Sequence, residues 1–343
     1  RFCMADFRQD QYNKYYTKLE KYRKKLPSFV NEYIVSLATK SIETQSDYCY
    51  NIVQFFEYFV QNNPALNGKL TNKVSKDAVN QLRPQDINEY IAYLINERRY
   101  ATASVQKTVT VLNCLFSFLE DSELIDKNPM RKSMKPRTKE QLDIVHLPRK
   151  DMDELQDVVA TGKNLTRHRK SYHEKTRLRD EAIVTLFLKT GIRVSECAGI
   201  RMCDVDFEKR QFKVRRKGYS DKNQQPIDMS KSVYDALLAY YEVRKKIIPL
   251  AGHEEAFFLS LQRKRMSIAG IQRMVKKYAL DLSASNDKIS PHKLRASYAT
   301  ALYDETNDIY LVSAGLNHKS VDVTVQHYTA MDAERRKKAY TTL

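Results

Sequence analysis

Apolar residues recur every three to four positions along nearly the whole chain, and only one short stretch changes to a period of two. Each amphipathic helix must bury one stripe against its neighbours, and an isolated alternation allows no more than a small sheet. Over residues 41–62, Tyr48, Ile52, Phe55, Phe56 and Phe59 share a face, and Asn63-Pro64 and Gly68 close the segment. Pro84 opens a second helix with the stripe Ile87, Tyr90, Ile91 and Leu94. Thr102 is placed to cap a third, whose core face is Val105, Val109, Leu112, Leu115, Phe116 and Leu119. The segments 151–160 and 178–190 also read as helices, with Gly191 as a stop. The exception is Gln211 to Arg216, which alternates about Phe212 and Val214. Lys217-Gly218-Tyr219-Ser220-Asp221 supplies a turn there, and Pro226 to Met229 can return as a second strand. Helical patterns resume from 231 to the end, so the expected fold is mainly α with one small β hairpin.

The chain has 343 residues, enough for two domains. Residues 127–150 hold three prolines and eight Lys or Arg, with little apolar periodicity before Ile144. We therefore expect a helical domain over 1–130, a basic linker over 131–150 and a second domain over 151–343. The net charge of +17 is spread over both parts: 1–140 carries +6 and the remainder +11. A polyanion touching both parts would account for this, and nucleic acid is the commonest.

Several classes of function are disfavoured. The eight glycines form neither GxGxxG nor a P-loop, so a phosphate cradle of either kind is not expected. The five cysteines make no CxxC pair and the seven histidines no HExxH, so neither a disulfide framework nor a metal centre is expected. Apolar runs such as Ala182 to Leu188 fall short of the roughly 18 residues of a membrane span. The first residues lack the basic, apolar, small-residue order of a secretory signal, so a cytoplasmic location is the expectation.

Four segments of the second half stand out: Thr190 to Glu196, Arg216-Lys217-Gly218 at the hairpin, His292-Lys293-Leu294-Arg295, and Gly315-Leu316-Asn317-His318 through His327-Tyr328. Taken singly each is weak, since HxxR arises by chance and Tyr328 is one of 22 tyrosines. In this order they resemble the tyrosine recombinase, or phage integrase, family, with a layout similar to single-protein Xer recombinases and to mobile-element integrases. The resemblance covers the second half well and the first half loosely, as a core-DNA-binding domain. Three points depart from the family pattern. Asn317 stands where a glycine usually precedes the histidine, Ala296-Ser297 replaces a common His-Thr, and the interval from His318 to Tyr328 is slightly long.

The resemblance implies a two-domain C-shaped clamp on duplex DNA and a set of roles. Tyr328 would be the nucleophile, giving a 3′-phosphotyrosyl link that conserves bond energy, so that no ATP, cofactor or metal is needed. Arg193 and Arg295 would hold the scissile phosphate, because guanidinium presents paired donors and stays protonated. His318 would add a donor, and His292 would act as base or as a further donor. Lys217 would protonate the leaving 5′ oxygen, with Lys213 and Lys222 as competing choices; Arg215 and Arg216 beside it would lower its pKa. Glu196 would hold Arg193 in place. The resemblance further implies double-stranded DNA with an inverted-repeat core site and four protomers on two duplexes. It implies strand exchange through a Holliday junction, a C-terminal helix exchanged between protomers and a nucleoid-associated location. Two uses stay open, integration or excision of a mobile element with an excisionase, and chromosome dimer resolution with a DNA translocase. Two rival readings share these residues: a DNA-binding regulator without catalysis, and relaxation of the type IB topoisomerase kind.

Overall fold

The computed structural model describes residues 7–136, 146–163, 165–215, 226–280, 282 and 289–316. The chain divides into two compact units, Arg1–Gln141 and Leu142–Leu343.

The first unit is all-helical among its described residues: α1 (Phe7–Arg23), α2 (Ser28–Ser36), α3 (Ile42–Asn62), α4 (Lys76–Asn80), α5 (Pro84–Asn96) and α6 (Thr102–Asp121). Helix α3 begins where the Ser41 hydroxyl accepts from the Thr44 N–H at 3.4 Å. Helix α5 begins with Pro84 at its first position, where the missing N–H costs nothing. Asp86 closes that end, accepting from the backbone N–H of Arg83 at 2.8 Å and from its guanidinium at 3.2 Å. The start of α6 differs from expectation. Ala101 is its cap, without a side-chain bond, and Thr102 is the first helical residue. The expected stripes meet in one core: Phe55 packs edge-on against Tyr90 and Phe116, with ring centroids 5.2 and 5.7 Å apart. Val109 lies only at the edge of that core.

The second unit is built around α8 (Arg167–Thr190), preceded by α7 (Arg149–Thr161). Every residue from Ala182 to Leu188 is buried, so this half of α8 is apolar on all sides and runs through the middle of the unit. The helix starts eleven residues earlier than its apolar pattern suggests, because 167–177 carries no stripe to read. After α8 come α9 (Val194–Gly199) and three short antiparallel strands, β1 (Val205–Asp206), β2 (Gln211–Lys213) and β3 (Pro226–Asp228), in the order β1-β2-β3. The expected hairpin is the β2–β3 pair, in the register Phe212 opposite Ile227; β1 adds a strand that two residues are too few to announce. Phe212 is buried and Lys213 exposed, as the alternation requires. The hairpin turn, with Arg216, Lys217 and Lys222, lies outside the described residues.

The fold then continues with α10 (Lys231–Arg244), α11 (Ile268–Ala279), α12 (Pro291–Thr306) and α13 (Ile309–Leu316). Between α10 and α11 the chain is not helical, contrary to the expectation of helix from 231 onward. There Phe257 and Phe258 are buried, the Arg244 guanidinium donates to the carbonyls of Ala256 and Glu254, and Leu259 bridges to Arg265. No helix among the described residues is long and apolar enough to cross a membrane.

Candidate active site

The site grows from the turn that ends α8. Gly191 sits at φ +59°, the left-handed conformation that closes a helix, and its N–H bonds the Phe187 carbonyl. A Cβ at this position would overlap Tyr298 Cδ1 and lie 3.2 Å from Leu316 Cδ2. Only glycine fits both the backbone and the space.

Two residues on, Arg193 caps α9. Glu196 accepts from the Arg193 backbone N–H at 2.8 Å and from its guanidinium at 2.9 Å. The carboxylate is buried, with 5% side-chain exposure, while Arg193 is 44% exposed, so the anchor is fixed and the guanidinium faces outward. This local device is not peculiar to the site. The pairs Arg83 and Asp86, and Arg201 and Asp204, repeat it at other helix starts. What sets Arg193 apart is the neighbouring turn.

Arg295, one turn into α12, is 6% exposed. Its guanidinium donates to the carbonyl of Gly191, 104 residues away in sequence, and to that of Leu316 at 2.6 Å. A buried guanidinium needs such acceptors, and here they are the last residue of α13 and the turn just before Arg193. Tyr298, one turn further along α12, closes the back of the turn. Its burial pushes its hydroxyl up, against the lowering effect of the Arg295 charge, so this phenol stays protonated. His292 stands exposed in the first turn of α12, three residues before Arg295 and after Pro291. The structure thus brings Arg193, Glu196 and Arg295 to one turn and puts His292 on the helix that carries Arg295. Lys217, His318 and Tyr328, with Asn317 and the C-terminal segment, lie outside the described residues.

Sequence reasoning missed the polar centre that supports α8. Asp180 is fully buried. It accepts from Arg179 at 2.6 and 2.9 Å, from the Thr176 hydroxyl at 2.9 Å and from the Tyr278 hydroxyl at 2.9 Å. Lys277 lies 3.6 Å away. Burial pushes the Tyr278 hydroxyl up and the Lys277 ammonium down. Tyr278 is 98 residues from Asp180, so no local spacing could reveal the pair. Among the described residues no three His, Cys, Asp or Glu side chains group as a metal site.

The chain is similar to known proteins over most of its length. Residues 151–335 match the phage integrase family, and residues 29–126 match the N-terminal SAM-like domain of phage integrases. The chain belongs to the phage integrase family and is a tyrosine recombinase. It is 28% identical to the tyrosine recombinase XerS of Streptococcus uberis over 353 residues, covering 94% of this chain and 97% of that protein. It is 27% identical to the tyrosine recombinase XerC of Caldanaerobacter subterraneus subsp. tengcongensis, covering 93% and 86%. Solved structures share its fold. The XerH site-specific recombinase bound to a palindromic difH substrate superposes with a TM-score of 0.67 at 16% identity, over 91% of this chain and 83% of that one. The Tn1549 transposon integrase in complex with circular intermediate DNA gives 0.64 at 17% identity, over 90% and 99%.

Proposed function

We propose that this site-specific DNA recombinase cuts each strand with Tyr328, whose phenol attacks the scissile phosphorus and displaces the 5′ oxygen. The product is a 3′-phosphotyrosyl link and a free 5′-hydroxyl, and the reverse attack by a hydroxyl from the partner strand rejoins DNA. The observation that carries this reading is the turn at Gly191. It fixes the mainchain before Arg193 while accepting a hydrogen bond from Arg295, so two guanidinium groups are held by one rigid element. Charge develops on the nonbridging oxygens during the attack, and donors already fixed in place stabilise it without reorganisation. Glu196 positions Arg193. Lys217 donates the proton to the leaving oxygen, His318 adds a donor, and His292 takes the phenol proton or binds the phosphate.

The remaining parts of the reading follow the family. Residues 1–130 serve as the core-DNA-binding domain and 151–343 as the catalytic domain, joined by a basic linker and closing on duplex DNA. Four protomers on two duplexes exchange strands in two rounds through a Holliday junction at an inverted-repeat site. The XerS and XerC relatives, similar over nearly the whole chain, support an Xer-type role over integration with an excisionase; a DNA translocase would be the partner of that role. The test is covalent trapping. Wild-type protein is incubated with sheared DNA of the source cell and denatured, and the attached ends are sequenced. Reads should pile up at one site and vanish with Tyr328→Phe, which should still bind DNA. An adduct that survives this substitution refutes the assignment of the nucleophile.

A further inference from the structure

The first eleven residues of α8, Arg167 to Arg177, hold five Lys or Arg and a single acid, Glu174. No acidic residue stands in the first turn, where the helix dipole favours one; Arg167, Arg169 and Lys170 stand there instead. Some exposed cations elsewhere in this unit are paired along their own segment, as Lys231 is with Asp235 at 2.9 Å and Lys245 with Glu242 at 2.8 Å. Arg167, Lys170 and Lys175 are exposed and make no ion pair among the described residues. The strip therefore accumulates positive charge at a place where charge opposes helix formation.

A second observation extends it. The next turns of α8 form one wall of a cleft of about 520 Å³, whose other walls are residues 260–267 and α11. Arg179, Lys264, Arg265, Arg273 and Lys277 line it, against one carboxylate, Asp180. That carboxylate is buried and already accepts three side-chain donors, so it offers nothing to a ligand. The Lys277 ammonium is lowered by burial, and the charges of Arg179 and Arg169 add to this against the pull of Asp180. A cleft lined by one sign of charge concentrates the field and draws a polyanion.

We propose that the N-terminal half of α8, together with its cleft against α11, binds the phosphate backbone of duplex DNA at phosphates other than the one being cut. The 24 residues of α8 end at the catalytic turn, and at 1.5 Å per residue the helix spans about 35 Å. Lys170 is about 30 Å from that turn, roughly nine base-pair steps of a duplex. The inference rests on the recombinase reading, and its test separates the two.

The full chain is titrated with a labelled random-sequence duplex over a range of salt concentrations. The triple variant Arg167→Gln, Lys170→Gln, Lys175→Gln is compared with wild type and with a control, Lys231→Gln, Lys245→Gln, Lys246→Gln. All six positions are exposed, and unchanged circular dichroism checks that each variant folds. Each lost phosphate contact removes about 0.9 from the slope of log affinity against log salt, so the triple variant should lose between about 2 and 3. From about 50 to 200 mM salt its affinity should then fall roughly 40-fold less than that of wild type. The control should keep the wild-type slope, and adding Arg193→Ala to the triple variant should lower the slope again by about 1. A wild-type slope in the triple variant overturns the inference and leaves the recombinase reading intact. An equal loss in the control overturns it too, by showing only long-range charge. No further loss on adding Arg193→Ala overturns the claim of separate phosphates. Failure of wild type to bind DNA at any salt concentration refutes the recombinase reading itself and the inference with it.

Discussion

Replacing Gly191 by alanine tests the idea that one rigid turn organises both arginines. The residue sits at φ +59°, and left-handed backbone costs an L-residue roughly 1–2 kcal/mol. Alanine recovers about 0.4–1 kcal/mol by restricting the unfolded chain. Gly252 supplies the reference, since it sits at φ +83° in the same unit with nothing within 4 Å of an added Cβ. Gly252→Ala should therefore cost no more than about 1.6 kcal/mol. Gly191→Ala meets the same backbone term and also drives its methyl into Tyr298, with Leu316 3.2 Å away. Overpacking of that sort costs typically 1–3 kcal/mol. The second unit spans Leu142–Leu343, and a domain of such size loses about 2–4 °C per kcal/mol. Calorimetry should then show the transition of this unit at roughly 2–12 °C below that of Gly252→Ala. Because Tyr298 must move and Arg295 shares the turn, cleavage should fall at least tenfold further than DNA binding. Equal melting temperatures for the two alanine variants, or an unchanged rate of adduct formation in Gly191→Ala, would refute the reasoning.

Two further tests follow from the same contacts. Arg193→Ala should lose orders of magnitude in cleavage and lower the melting temperature less than Arg295→Ala does, because the side chain is half exposed and its partner Glu196 keeps the Arg193 backbone N–H. Arg295→Ala should lose cleavage and stability together, since it strips buried carbonyls at Gly191 and Leu316 of a donor, at about 1–3 kcal/mol each; equal melting temperatures for the two would contradict this. In the first unit, burial raises the Asp86 carboxyl, but its hydrogen bonds and charge pairing with Arg83 outweigh that and hold it below the ordinary carboxylate range. A folded pKa below the unfolded one stabilises the fold at neutral pH and is lost as pH falls through the folded value. Asp86→Ala should therefore destabilise by about 1 kcal/mol at pH 7, and urea titrations should show the difference shrinking as pH falls below the ordinary carboxylate range. A difference constant with pH would refute the pairing.

These expectations also show why the two arginines could not be distinguished by reading the chain. Arg193 and Glu196 are three residues apart, and a carboxylate at that spacing after a helix cap is visible in sequence. Arg295 looks equivalent in the HxxR segment, yet it is buried under carbonyls that arrive from Gly191 and Leu316. The length of α8 was hidden for a related reason. Its core half is marked by an unbroken apolar run, whereas its basic half has no stripe, and helix α1, rich in Tyr and Lys, has none either. Helices α3 and α5 were legible because each faces a single core and so carries one stripe between readable end signals.

The sequence by itself determined the helical class, the β2–β3 hairpin and the order of the segments bearing Arg193, Lys217, His292, Arg295, His318 and Tyr328. Those features are written in neighbours a few positions apart, where backbone geometry and side-chain chemistry act locally. Only the tertiary structure decided that Gly191 must be glycine for lack of space as well as for its backbone, that Arg295 is held by that turn, and that Asp180 gathers Arg179, Thr176 and Tyr278 in the core. A buried charge is tolerated only where donors or acceptors converge on it, and in this fold they converge from helices about a hundred residues apart, where no spacing rule reaches.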